Sequence, residues 1–158
     1  MKIITLSILS LLVFTQASAQ NLSKQRIWKI TSDKRSIYFD QGIFHSENNS
    51  TASVLTNIRN SYVSARGFER VVFDFAGIQP PKVYGHISME KNKLYIDFFN
   101  TTLNRDFSKI KNVKYVENID FFNIDKDLLS IELSVSQKVS YDIFYLTNPA
   151  RVVVDIKK

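Results

Sequence analysis

An acidic residue set between two apolar ones in strict alternation recurs along this chain, and it closes four strong apolar runs: Phe73-Asp74-Phe75, Ile96-Asp97-Phe98, Ile131-Glu132-Leu133 and Val154-Asp155-Ile156. Alternation of this kind marks a β-strand with one buried face, because successive side chains point to opposite sides of the backbone. It also assigns rows. Val71, Phe73 and Phe75 share a face, as do Leu94, Ile96 and Phe98, then Leu129, Ile131 and Leu133, then Val152, Val154 and Ile156. Those rows are the expected core. Asp74, Asp97, Glu132 and Asp155 are then expected to point outward into water.

The device sits inside a longer repeat. Asn57-Ile58-Arg59, followed by residues 70–77, 83–89 and 93–100, reads as four strands. Asn118-Ile119-Asp120, followed by residues 128–135, 139–146 and 151–156, reads as four more, and the acids fall on the second and fourth of each set. Turn chemistry separates the runs: Ala76-Gly77 with Pro80-Pro81, Glu90-Lys91-Asn92, and Thr147-Asn148-Pro149. The single helical candidate, Leu103 to Lys111, is short. Neither half could bury its apolar face alone. The expected fold is therefore all-β: a small β-sandwich of two symmetric antiparallel sheets, built from a duplicated four-strand unit over residues 52–158.

The upstream sequence divides in two. Residues 1–19 carry Lys2, an apolar run from Ile3 to Phe14 and the triplet Ala17-Ser18-Ala19, the layout of a cleaved secretory signal peptide. The run is well short of the roughly 20 residues that span a bilayer, so no stable membrane insertion is expected after cleavage. Residues 20–51 read as an N-terminal extension: a hairpin from Ser36-Ile37-Tyr38-Phe39 through Asp40-Gln41-Gly42 to Ile43, and then a polar linker from His45 to Thr51. Trp28 is placed to plug the sandwich.

Composition narrows the chemistry. With no cysteine there is no disulfide framework, thiolate zinc site or cysteine nucleophile, and the two histidines leave little for a zinc hydrolase. No cofactor is expected. Lys109, Lys111, Lys114 and Arg105 cluster between the halves, but they do not interleave with a stacking platform, and the signal exports the chain, so nucleic acid is not the expected partner. Paired carboxylates could be drawn from Asp74 with Asp97, or Glu132 with Asp155. The pattern gives all four one environment, however, whereas acid–base catalysis needs two. The chain is read as a non-enzyme.

Gly67-Phe68-Glu69-Arg70-Val71-Val72-Phe73-Asp74-Phe75-Ala76-Gly77 and Asn148-Pro149-Ala150-Arg151-Val152-Val153-Val154-Asp155-Ile156 resemble the two signature strands of the AMIN domain family, and the strands at Val83 to Ile87 and Val139 to Ile143 resemble the Tyr-containing hairpin between them. The resemblance covers about Ser53 to Lys158. It implies a non-catalytic β-sandwich of the bacterial envelope, of the kind that precedes a peptidoglycan amidase or a secretin and helps place it by binding the cell wall. Here the sequence stops at Lys158, just after the final strand, so the expectation is of a module whose cargo is a separate protein.

Two sets of residues are candidates for ligand binding. In the first, Arg70 with Asp74 and Arg151 with Asp155 share faces about 13 Å apart within a strand. They can form cross-strand ion pairs, or offer forked donors to the carboxylates of wall peptides. In the second, Tyr84, Tyr95, Phe99 and Tyr145 bring rings beside polar groups, which suits sugar faces or a protein surface, unless a further layer covers them. One of Phe121 and Phe122 must also face away from the core. The expected function is that of an exported, periplasmic cell-envelope module binding peptidoglycan or an envelope protein complex. The alternative is a periplasmic carrier holding an apolar ligand between its sheets.

Overall fold

The computed structural model describes residues 26–34, 36–49, 51–103, 107 and 113–158. Its strands, in chain order, are β1 (Ile27–Lys29), β2 (Gly42–His45), β3 (Ser53–Val63), β4 (Phe68–Phe75), β5 (Val83–Ser88), β6 (Lys93–Phe99), β7 (Thr101–Leu103), β8 (Val116–Asp125), β9 (Leu128–Val135), β10 (Ser140–Leu146) and β11 (Arg151–Lys157). They form two sheets packed face to face as a β-sandwich. One has six strands in the order β1-β2-β5-β6-β9-β8, the other five in the order β10-β11-β4-β3-β7.

The repeat explains that order. Each half supplies two hairpins, and the hairpins are exchanged: β3-β4 and β10-β11 share the five-stranded sheet, while β5-β6 and β8-β9 share the six-stranded one. The strands carrying the acid device meet at the centres. β4 lies antiparallel to β11 with Phe73 opposite Val152, and β6 lies antiparallel to β9 with Ile96 opposite Ile131. All twelve residues of the four predicted rows are at most 4% exposed. Phe98 meets Phe73 and Phe75 edge-on across the sandwich, at 5.5 and 4.9 Å between ring centroids. Each such ring contributes about 1.5–3 kcal/mol of burial, and the seam between the halves is where that contribution concentrates.

The sheets depart from the expectation in two ways. They are mixed and unequal, because β1 runs parallel to β2 and β7 runs parallel to β3. The described residues of the N-terminal extension are also part of the sandwich. The expected hairpin is absent: Phe39 makes a bridge to Tyr141 of β10, in the opposite sheet, and Gly42 to His45 pair with β1 and β5. The physical reason lies at Gly42. Its φ of +120° turns the chain away, and a Cβ there would overlap the Arg26 carbonyl oxygen. The polar stretch after β2 is not a free linker either, since Ser46 is buried and exchanges bonds with Val83 in both directions.

Gly85 shows how closely the extension is seated. A Cβ at that position would overlap the Phe44 ring and the Tyr95 carbonyl oxygen, so β2 packs its phenylalanine where β5 has no side chain. Trp28 is half-buried and stacks on Phe39 at 4.9 Å, closing that end of the core. The predicted signal peptide, Arg105, Lys109 and Lys111 lie outside the described residues, as does most of the helical candidate, whose Leu103 ends β7.

Candidate functional site

The eight candidate residues do not converge. Arg70, Asp74, Arg151 and Asp155 lie on the outer face of the five-stranded sheet. Tyr84, Tyr95 and Phe99 lie on the outer face of the other sheet, on the far side of the core. Tyr145 pairs with the buried Val152 and packs inward against the core, so it belongs to neither surface.

On the five-stranded sheet the register sets Asp155 opposite Arg70 and Asp74 opposite Arg151. Arg70 clasps Asp155 with two bonds, Nε to Oδ1 at 2.6 Å and Nη2 to Oδ2 at 2.8 Å, and Lys34 pairs with the same carboxylate. Asp155 is 0% exposed, which corrects the expectation that every acid of the pattern is wet. The outward direction is right, but a second layer covers it. Residues 30–34 and 36–39 lie over this face as a strap, tied to the edge of β10 by a bond from the Tyr145 amide to the Thr31 carbonyl and by the paired bonds of Phe39 and Tyr141. Under it Val72, Phe144 and Val153 form a small apolar cluster, and Lys34 and Arg70 lie over the rings of Phe68 and Phe144. Asp74 stays partly exposed and is gripped by Arg59, Nε and Nη2 at 2.8 and 2.7 Å, rather than by Arg151. The Arg151 Nε reaches the Pro149 carbonyl at 3.4 Å. Arg70 thus spends its fork on a carboxylate of its own chain, which leaves little for an anionic ligand.

Asp142 sits directly opposite Asp155 in the β10-β11 register, buried, with Lys34 Nζ at 4.0 Å. Burial pushes its carboxyl from 3.8 up to about 6; Asp155 adds to the shift, and Lys34 and Arg70 oppose it. Between about pH 4 and 6 the folded protein holds a proton that the unfolded chain has released, so this group withdraws stability as pH rises through that window. Asp142→Asn is therefore expected to stabilise the protein by about 2 kcal/mol near pH 7.5 and by close to nothing near pH 4. Urea unfolding of both proteins at the two pH values measures the difference.

The outer face of the six-stranded sheet is arranged differently. One row runs His45, Tyr84, Asp97, Ser130 and Phe122 across β2, β5, β6, β9 and β8; the next runs Ile43, His86, Tyr95, Glu132 and Asp120. Five strands at the usual spacing make a table about 19 Å wide. His86 stacks on Tyr95 at 4.5 Å and 11°, and burial lowers the imidazole below its ordinary value. Tyr84 is 40% exposed beside that pair, and Phe122 is the member of its dipeptide that faces out. Lys82 lies over the Phe99 ring at 5.7 Å. Asp97 accepts from Ser130, and Glu132 pairs with Lys93; both acids stay partly exposed. This face can stack on flat apolar surfaces while its carboxylates and hydroxyls take hydrogen bonds.

Glu69 was not among the candidates, yet it is fully buried. Its carboxylate reaches from β4 to the start of β8 in the opposite sheet. There it accepts the Tyr115 amide and, at 3.1 Å, the Val116 amide, and it also takes a bond from Asn60 Nδ2 at 2.8 Å. The alternation did carry the signal, since position 69 falls in the inward row of Val71, Phe73 and Phe75. Comparison with protein-family models, curated proteins and solved structures finds no match to this chain.

Proposed function

We propose that this chain is an exported, non-catalytic module of the cell envelope that docks on peptidoglycan, or on a protein bound to it, through the outer face of its six-stranded sheet. The observation that carries the reading is the aromatic and acidic table of Tyr84, the stacked His86–Tyr95 pair, Asp97 and Glu132. Rings lying on a flat sheet suit the apolar faces of sugar rings, and neighbouring carboxylates suit hydroxyls and the amines of wall peptides. The signal-like residues 1–19 and the AMIN-like strands support the location. The sandwich interior supports docking over carriage, because Phe73, Phe75 and Phe98 already occupy the space between the sheets. The non-catalytic reading is supported by the position of Asp142, whose raised carboxyl lies under the strap and away from the open table.

Co-sedimentation with purified sacculi tests this. The wild-type protein is expected to pellet with sacculi, and Tyr84→Ala with Tyr95→Ala is expected to weaken retention about tenfold, on the scale of lost ring stacking at two positions. Arg59→Ala, on the other sheet, is expected to change it little. A wild-type protein that stays in the supernatant, or a double variant that pellets as well as wild type, would rule the reading out.

A further inference from the structure

We infer that one end of the sandwich is a basic pole that docks on a bilayer containing anionic phospholipid, a role independent of the sheet-face reading above. Strand pairing brings five basic residues to that end, each from a different connection or strand terminus. Arg66 lies in the turn between β3 and β4, Lys91 in the turn between β5 and β6, and Lys138 in the crossing from β9 to β10. Lys114 comes just before β8, and Lys157 closes β11. All five are exposed. The two sheets are joined there, since Glu69 of β4 holds the Tyr115 and Val116 amides.

Arg26, whose carbonyl takes the Ile43 amide, is exposed at the same end, because Gly42 lies opposite Ile87 near the close of β5. Among the described residues the exposed acids there are Asp40, Glu90 and Glu117, so cations are in excess. The opposite end mixes its signs: Glu47 pairs with Lys29, and Asp125 and Asp127 flank Lys126. Covering cannot cancel the excess. The residues outside the described ones hold Lys2, Lys24, Arg35, Arg105, Lys109 and Lys111 against a single acid, Asp106.

Two features select a bilayer as the occupant. The cations stand on separate turns across the width of the end, about 20 Å at the usual strand spacing, rather than converging on one pocket. Such a spread suits an extended layer of phosphates, where each Lys or Arg near the surface adds to the attraction, and suits a lone phosphate poorly. The apolar run from Ile3 to Phe14 is also joined to this end. Arg26 follows Phe14 by twelve residues, a reach of at most about 40 Å, so a membrane that holds the run keeps the pole within range. Lys114 lies over Tyr62 at 3.8 Å and Lys157 over Tyr38 at 5.8 Å, each setting a charged tip on an apolar ring as a lipid–water boundary favours.

The test mixes the full-length protein with vesicles of phosphatidylcholine, with or without phosphatidylglycerol, and measures partition by sedimentation. Partition is expected to be at least about tenfold stronger onto the anionic vesicles at low salt, and to lose that preference at high salt. Lys91→Gln, Lys138→Gln and Lys157→Gln together are expected to cost at least about tenfold on anionic vesicles and nothing on neutral ones. Lys29→Gln, Lys126→Gln and Arg151→Gln remove the same charge from the opposite end and are expected to change partition by less than about twofold. Residues 1–19 are common to all three proteins, so their own affinity for lipid cancels. Neutral vesicles bound as well as anionic ones, or two triple variants weakened equally, would overturn the proposal. So would soluble polyphosphate bound as tightly as the vesicles, phosphate for phosphate, because the partner would then be a free anionic polymer.

Discussion

Asp155→Ala is expected to cost about 3 kcal/mol, near the lower end of the range for breaking a buried ion pair from one side. The loss comes from what stays behind. Arg70, half-buried over Phe68 and Phe144, keeps its charge with its two shortest bonds gone, and Lys34 loses the carboxylate that holds the strap down. Asp142 lies directly across the ladder and moderates the damage, since both cations can turn to it and draw its carboxyl back down from about 6. Removing both charges separates this cause from simple loss of volume. Arg70→Met with Asp155→Leu is expected to lose less than Asp155→Ala alone, because no guanidinium is left stranded, Lys34 still has Asp142 beside it, and the face beneath is already apolar. Urea unfolding at neutral pH compares the two. A double variant less stable than the single one would show that the ion pair stabilises through geometry rather than by mutual compensation.

Glu69→Leu is expected to cost about 3 kcal/mol, because it leaves two backbone amides and the Asn60 amide without their common acceptor in a buried site. Leucine fits the row of Val71 and Phe73, so the expected loss reports unsatisfied donors rather than a poor fit. Glu69→Gln keeps one carbonyl oxygen and is expected to lose about half as much. Hydrogen exchange at Tyr115 and Val116 is expected to accelerate in both variants, more strongly in the leucine one. A loss below about 1 kcal/mol, with exchange unchanged, would mean that solvent or another group takes over the donors.

Period-two alternation was enough to read the four central rows of this protein's core, though not Ile30, Phe39 and Phe44, which the extension adds to it. The rows at Val71, Leu94, Leu129 and Val152 are buried as expected, and the repeat foretold which strands resemble one another. What alternation could not supply was the pairing between halves. Nothing local in Arg70-Val71-Val72-Phe73 says that its neighbour is β11, since that choice follows from closing two sheets at once. The buried Asp155 was half legible. Its outer row reads Arg151, Val153, Asp155, and the neighbouring outer rows hold Val72 and Phe144. Apolar residues in the middle of outward rows signal a covering layer, and that cover is the strap. The strap itself has weak patterning, because one side lies on the sheet and the other in solvent, with few regular bonds to impose a period. The candidate ligand residues were chosen by type, and type does not fix a face. Tyr145 shows this, since one step of register from Phe144 turns it into the core.

The interchange of hairpins also dictates when the molecule can close. Arg70 and Asp155 are 85 residues apart in sequence, and β11, after all the other strands in order, is inserted between β4 and β10 rather than added at a margin. A nascent or threaded chain cannot zip either central seam until the second set of strands has arrived, so its first set must wait with an apolar face unmet. Such a polypeptide is slow to commit to its native shape, and its unmet apolar rows are open to aggregation for as long as the wait lasts.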